Sequence, residues 1–336
     1  MSELPRRGPR AADDLPPVEP PSAGFLVQLF VVPLTIVACG LFVVWGFYWL
    51  AQMGNDPESY VRALRRNNEG RWQVALNFAN DLRGPGGATL KNDPALAAEL
   101  ADILGDEVAS GRPAGSGHAA EQSQTLCAYL CRALGEFAVP EAAAPLIERA
   151  RDASSPGTAQ AAVEALAVLA ANLAAAGRSL PDPAATVAAL EAASRSDTRP
   201  LRSAAAYALG VVGGSTALDR LRDLLDDGED DVRFNAAVGL ARHGVATSWD
   251  TLGEMLDLPD VGGAASDDRR MAAERYRRAM VVVNALKGVG LIVDATSAGP
   301  PEAIARRVLA LTDDPVSDVR AAALALQRRI ERLDPS

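Results

Sequence analysis

Lysine is almost missing from this chain: of 33 basic residues, all but Lys91 and Lys287 are arginine. Histidine is as scarce, with only His118 and His243. Aromatic residues fill 5% of the 336 positions, too few for a body built of strands, which favour aromatic and β-branched side chains. Three cysteines (Cys39, Cys127 and Cys131) make no disulfide framework for a chain this long, and their use leans toward a reducing compartment. An excess of positive charge is absent too. The formal net charge is −10, which excludes the broad basic surface that neutralises nucleic-acid phosphates, so no nucleic-acid partner is expected. No HExxH, GxSxG, Walker or GxGxxG pattern stands in a fitting strand–helix context. Nothing here points to catalysis or to a cofactor.

The scarce residues are better read as structural. His118 lies in a Gly/Ser-rich stretch expected to be a loop, and His243 stands at a helix end before Gly244, where the helix dipole favours it. Cys127 and Cys131, four apart, share a helix face and lack the further ligands that a zinc site needs. The acidic run Asp226–Asp231 lacks the ligand spacing of a calcium loop and suits a turn followed by a helix cap. No metal site is expected.

Alanine is what the chain has in plenty. It is the best helix former and lets helices approach closely, so the expected fold is all-α. One segment differs from the rest. From Pro20 to Asn55, 36 positions carry no charge, and 16 of the 27 residues from Phe25 to Ala51 are Leu, Ile, Val or Phe. A bilayer core about 30 Å thick needs roughly 20 such residues in a helix. Each branched or aromatic apolar residue favours insertion by up to roughly 0.6 kcal/mol, and no charge opposes them. Trp45, Tyr48 and Trp49 gather at one end, as interfacial aromatics do, and Pro33 is tolerated in a membrane helix. Residues 25–52 are therefore expected to cross a membrane once. The run is too long for a signal peptide, and no small-x-small cleavage site follows it. Residues 1–24, rich in proline, read as a disordered tail. Arginines flank both ends (Arg6, Arg7, Arg10 against Arg62, Arg65, Arg66, Arg71), so the charge rule tilts only slightly toward a body on the cytoplasmic side.

Beyond residue 53, alanine-rich amphipathic stretches alternate with Pro, Gly or Asp breaks, and one motif recurs: a small residue, leucine, then usually a small residue. It appears at Ala133-Leu134-Gly135, Ala165-Leu166-Ala167, Ala208-Leu209-Gly210, Gly239-Leu240-Ala241 and Ala285-Leu286-Lys287. The leucines are 32, 43, 31 and 46 residues apart, and the long intervals hold the inserts 177–183 and 259–270. A period in the low thirties is that of stacked two-helix units. The clearest first helices are Leu201 to Gly213 and Val232 to Gly244, and Asp313 to Arg320 opens the last helix. Residues 57–83 read as a capping hairpin, 94–109 as a lone helix, and 84–93 and 110–120 as loops.

These units resemble HEAT repeats of the short, bacterial, lyase-like kind, over roughly residues 120–332. The resemblance implies an α-solenoid at 120–336, preceded by a helical cap at 53–119. It also implies that an arginine in each first helix reaches an Asp of the neighbouring repeat, forming a ladder, and the matching positions are Arg202, Arg233 and Arg320. Seven residues before Leu134 stands Cys127, and seven before Leu286 stands Ala279, so the ladder is expected to be incomplete. Arg269, Arg270, Arg275, Arg277 and Arg278 form the densest basic cluster, either a partner-docking patch or a solvated helix face. The function expected is a membrane-anchored, non-enzymatic scaffold for protein partners. A lyase-type or ligand-handling protein related to bilin lyases is the alternative that the resemblance implies.

Overall fold

In a computed structural model of the protein, the residues described are 24, 27–53, 57–66, 68, 70–259 and 269–333. The proline-rich tail lies outside them, apart from Gly24 and the start of the apolar helix, as does most of the insert after Pro259. The chain divides into two compact units, Met1–Asp56 and Pro57–Ser336.

The first unit is the apolar helix. A π-helical turn, Val27–Val31, leads into α1, Val32–Met53. The change of register sits beside Pro33, which has no N–H to give to the turn before it. Thr35 Oγ1 donates to Val31 O at 2.7 Å, so the hydroxyl is satisfied within the helix. Among the described residues, three helices are long and apolar enough to cross a membrane. Val27–Phe47 has a mean hydropathy of 2.5 and none of it is buried, whereas Pro156–Ala175 and Arg269–Thr296 are 56% and 50% buried in the second unit.

The second unit is helical throughout its described residues. It comprises α2 (Pro57–Arg65), α3 (Arg71–Arg83), α4 (Gly87–Leu90), α5 (Pro94–Ala109) and α6 (His118–Gly135). There follow α7 (Ala143–Ala150), α8 (Pro156–Ala175), α9 (Pro183–Ala193), α10 (Arg199–Val212) and α11 (Ser215–Leu224). The rest are α12 (Asp230–Arg242), α13 (Trp249–Leu256), α14 (Arg269–Thr296), α15 (Glu302–Ala310) and α16 (Ser317–Glu331). The long helices α3, α6, α8, α10, α12, α14 and α16 stack in that order, and each short helix α7, α9, α11, α13 and α15 packs against the long helix that follows it.

Local chemistry sets the breaks. Asp93 accepts from the N–H groups of Ala95 and Leu96 ahead of α5, and Asp182 from that of Ala185 ahead of α9, each with a proline at the first helical position. After α12, Gly244 takes the left-handed conformation (φ 70°). There its N–H reaches Ala241 O while the Val245 N–H reaches Leu240 O.

The recurring small-Leu-small motif is where consecutive long helices meet. Its leucines (Leu134, Leu166, Leu209, Leu240 and Leu286) are all buried, and small residues of neighbouring motifs meet at Gly135 with Ala165 and at Gly210 with Gly239. A methyl group on Gly210 would lie 2.5 Å from the Cα of Gly239, and one on Gly135 would lie 2.8 Å from Ala165. Backbones this close leave no room for a side chain. The motif is thus a contact rule between repeats.

Some boundaries differ from the sequence reading. Residues 84–93 contain the short helix α4, and His118 is the first residue of α6 rather than part of a loop. Arg269 and Arg270 belong to α14, a helix of 28 residues, rather than to an insert. One buried core runs from Leu64 to Leu240, so α2, α3 and α5 share it with the first repeats.

Candidate functional site

The arginines assigned to the ladder share one bond and differ in the rest. Arg202, Arg233 and Arg320 each donate through Nη1 to the carbonyl six residues earlier: Ser196, Asp227 and Asp314, at 3.0, 3.1 and 2.5 Å. Each thereby fastens the turn that precedes its own helix. Only Arg202 also reaches a carboxylate of the next turn, giving Asp227 two bonds at 3.0 and 3.2 Å. Burial alone would raise the Asp227 carboxyl, but the Arg202 guanidinium and the Glu229 N–H hold it below the usual range. Arg233 pairs with Asp230 in its own first turn and at 3.5 Å with Glu254. Among the bonds described for Arg320, none reaches a carboxylate.

The missing rung is carried by Arg278. Its Nη2 lies 2.7 Å from Asp314 Oδ2, its Nε donates to Leu258 O at 2.9 Å, and both side chains of the pair are under 10% exposed. Asp314 repeats the pattern of Asp227, accepting from the N–H two residues on, at Val316. The arginine stands eight residues before Leu286, where a count of seven finds Ala279. On α14 it shares the buried face of Ala279, Val282 and Ala285, the signal that identifies it. Arg278 is therefore removed from the proposed docking patch, because a buried, paired guanidinium cannot meet a partner. Its Nη1 is buried with no hydrogen-bond partner among the described residues.

The other arginines of that cluster stay together at the start of α14. Arg269, Arg270 and Arg277 are exposed and Arg275 is partly so. Tyr276 between them is 68% exposed, and Met280 one turn on is exposed as well. Arg277 lies 4.0 Å from Glu274.

A cleft of about 210 Å³ lies at the start of the stack, lined by Asn68 and Gly70 ahead of α3 and by residues of α3, α5, the Arg112–Ala114 turn and α6. At its back is Glu107 of α5, 2% exposed. Its carboxylate accepts from Arg71 Nη1 at 2.7 Å, from Nε (3.0 Å) and Nη2 of Arg112, and from the Ser123 hydroxyl. Burial by itself would raise this carboxyl, but the bonds from Arg112, Ser123 and Arg71 outweigh it and hold it at about 2. Sequence reading missed Glu107, although Leu96, Leu100, Ile103 and Leu104 set a buried stripe whose next turn falls on it.

The remaining singled-out residues have structural partners. His243 Nε2 lies 3.0 Å from Gly210 O; a carbonyl only accepts, so that nitrogen carries the proton and the ring ties α12 to α10. Cys127 and Cys131 are buried on α6, and burial pushes both thiols up, Cys127 to about 12. The run Asp226–Asp231 is the turn before α12 and its first two residues. No group of three or more potential metal ligands occurs among the described residues.

A HEAT-repeat family model matches residues 168–241 and 186–276, so the middle of the body is HEAT-like. No curated protein matches the chain. Human deoxyhypusine hydroxylase is a structural neighbour at 19% identity and a TM-score of 0.32, with 82% of this chain and 96% of that one covered. The CpcE–CpcF complex of phycocyanin lyase from Nostoc sp. is another, at 19% identity and a TM-score of 0.46, covering 82% and 94%.

Proposed function

We propose that this protein is a membrane-anchored HEAT-like scaffold, with residues 25–52 crossing the bilayer once and the repeat body binding protein partners at the membrane surface without catalysis or cofactor. The observation that carries the reading is the contrast among the three apolar helices. None of Val27–Phe47 is buried, while α8 and α14 spend their apolar faces on the repeat core. An exposed helix of that composition is stable in lipid and costly in water. Stacked helical hairpins offer an extended surface, and a tether raises its effective concentration near membrane partners. A body on the cytoplasmic side is the orientation toward which the four arginines after the helix, against three before it, tilt the charge rule slightly. The partner contact is assigned to the second helices of the central repeats, with the exposed start of α14 at one rim. The lyase-type alternative rests on family resemblance alone.

Carbonate washing of membranes carrying the full chain and a chain lacking residues 1–52 tests the anchor. The full chain should stay in the pellet and the shortened one should become soluble and helical. A shortened chain that still resists carbonate overturns the single anchor. Charge reversal at Arg275 and Arg277 should weaken partner capture from solubilised membranes and leave the melting temperature nearly unchanged.

A further inference from the structure

We propose that the cleft beside Glu107 binds a small oxyanion, a phosphate or carboxylate group, between Arg71, Arg112 and the first turn of α6. Among the described residues, the charged groups lining it do not cancel. Arg71 and Arg112 supply two positive charges and Glu107 one negative, so with His118 neutral the described lining carries a net charge of +1.

Glu107 fixes the two guanidiniums without exhausting them. It takes Arg71 Nη1 and the Nε and Nη2 of Arg112, and Arg71 Nε is held by Leu64 O at 2.7 Å. Among the described residues no hydrogen bond occupies Arg71 Nη2 or Arg112 Nη1. A guanidinium held in place by one carboxylate keeps a second edge with fixed geometry for another oxyanion. Preorganisation of this kind lowers the cost of binding.

The opposite wall is the start of α6. Gly117 gives this helix no side-chain cap, and its first internal bond runs from Glu121 N to Gly117 O at 3.1 Å. The N–H groups of His118, Ala119 and Ala120 therefore have no acceptor within the helix. His118, Ala119 and Gln122 line the cleft, so this turn of an 18-residue helix adds its dipole to the two arginines. Asn68 and Gln122 contribute amides and Trp72 an apolar wall.

The two histidines make the test selective. Full-length protein in a neutral detergent, free of lipid phosphate, is labelled with ¹³C only at histidine. It is titrated with sodium orthophosphate and separately with sodium acetate at constant ionic strength. His118 lines the cleft, and His243, bonded to Gly210, is the internal control. The expected result is a saturable shift of the His118 ring signals and an unmoved His243. A response to one anion alone assigns the group to that anion. Arg112→Gln should weaken binding at least about tenfold. Because that change also strips donors from Glu107, a second variant, Ala119→Glu, places a carboxylate in the cleft at a helix start that favours it, and should abolish the shift while helicity is retained. No saturable shift through the tens-of-millimolar range overturns the proposal. So do equal shifts at both histidines, or a His118 shift that survives Ala119→Glu.

Discussion

The turn before α12 and the turn before α16 solve one problem with different registers. In both, an aspartate caps the turn through the N–H two residues on and receives an arginine from the long helix of the previous repeat. Arg202 does this seven residues before its motif leucine and stays partly in solvent, with its Asp227 partner 12% exposed. Arg278 does it eight residues before Leu286, and Asp314 is 3% exposed. Between them, the turn at Asp257 takes Arg307 from α15 at 2.7 Å, while the carboxylates that Arg233 reaches, Asp230 and at 3.5 Å Glu254, both belong to its own repeat. A carboxylate in an inter-repeat turn calls for a cation. The position in the chain that supplies it is free to drift by a residue, or to move to another helix.

Substituting the two rungs should separate them sharply. Arg278→Met leaves Asp314 charged and buried without its partner, so a loss of about 3–5 kcal/mol in unfolding free energy is expected. Chemical denaturation of the detergent-solubilised chain measures it, and a cost under about 1 kcal/mol would show that Asp314 finds another cation or is reached by water. Next comes the helix contact itself. Gly210→Ala drives a methyl into the Cα of Gly239 and should cost about 1–3 kcal/mol, because both partners are backbone and cannot move aside as a side chain would.

The two arginines of the central repeats make the finer comparison. Arg202→Gln removes a two-bond contact to a carboxylate only 12% exposed and should cost about 1–2 kcal/mol. Arg233→Gln removes pairs to carboxylates more than half exposed and should cost about 0–1 kcal/mol. Thermal melts that rank them the other way would return the ladder role to Arg233.

Glu107 is distinguished by pH rather than by size of effect, because its charge state does not change near neutrality and its pH dependence falls in acid. Its folded value, about 2, lies below the ordinary 4.5, so its contribution to stability is fully present above about 4.5 and is lost as pH falls toward 2. Glu107→Gln should flatten the stability profile in that acid window; an unchanged slope would place the acid loss elsewhere.

Alanine content, the period in the low thirties and the Pro, Gly and Asp breaks made the helices and their stacking order legible in the sequence, because capping and helix propensity act locally. The 27 uncharged residues from Phe25 to Ala51 marked one helix as different in kind. Counting along the chain could not say which arginine reaches which aspartate. Arg278 and Ala279 are adjacent, yet one holds a buried carboxylate of the next repeat and the other packs beside Val282. That choice is made by the crossing of α14 and α16. Glu107, Arg71, Arg112 and Ser123 likewise come from four segments, and only packing brings their charges within reach of one another. Coulomb and hydrogen-bond terms depend on distance in space, and tertiary structure alone sets that distance.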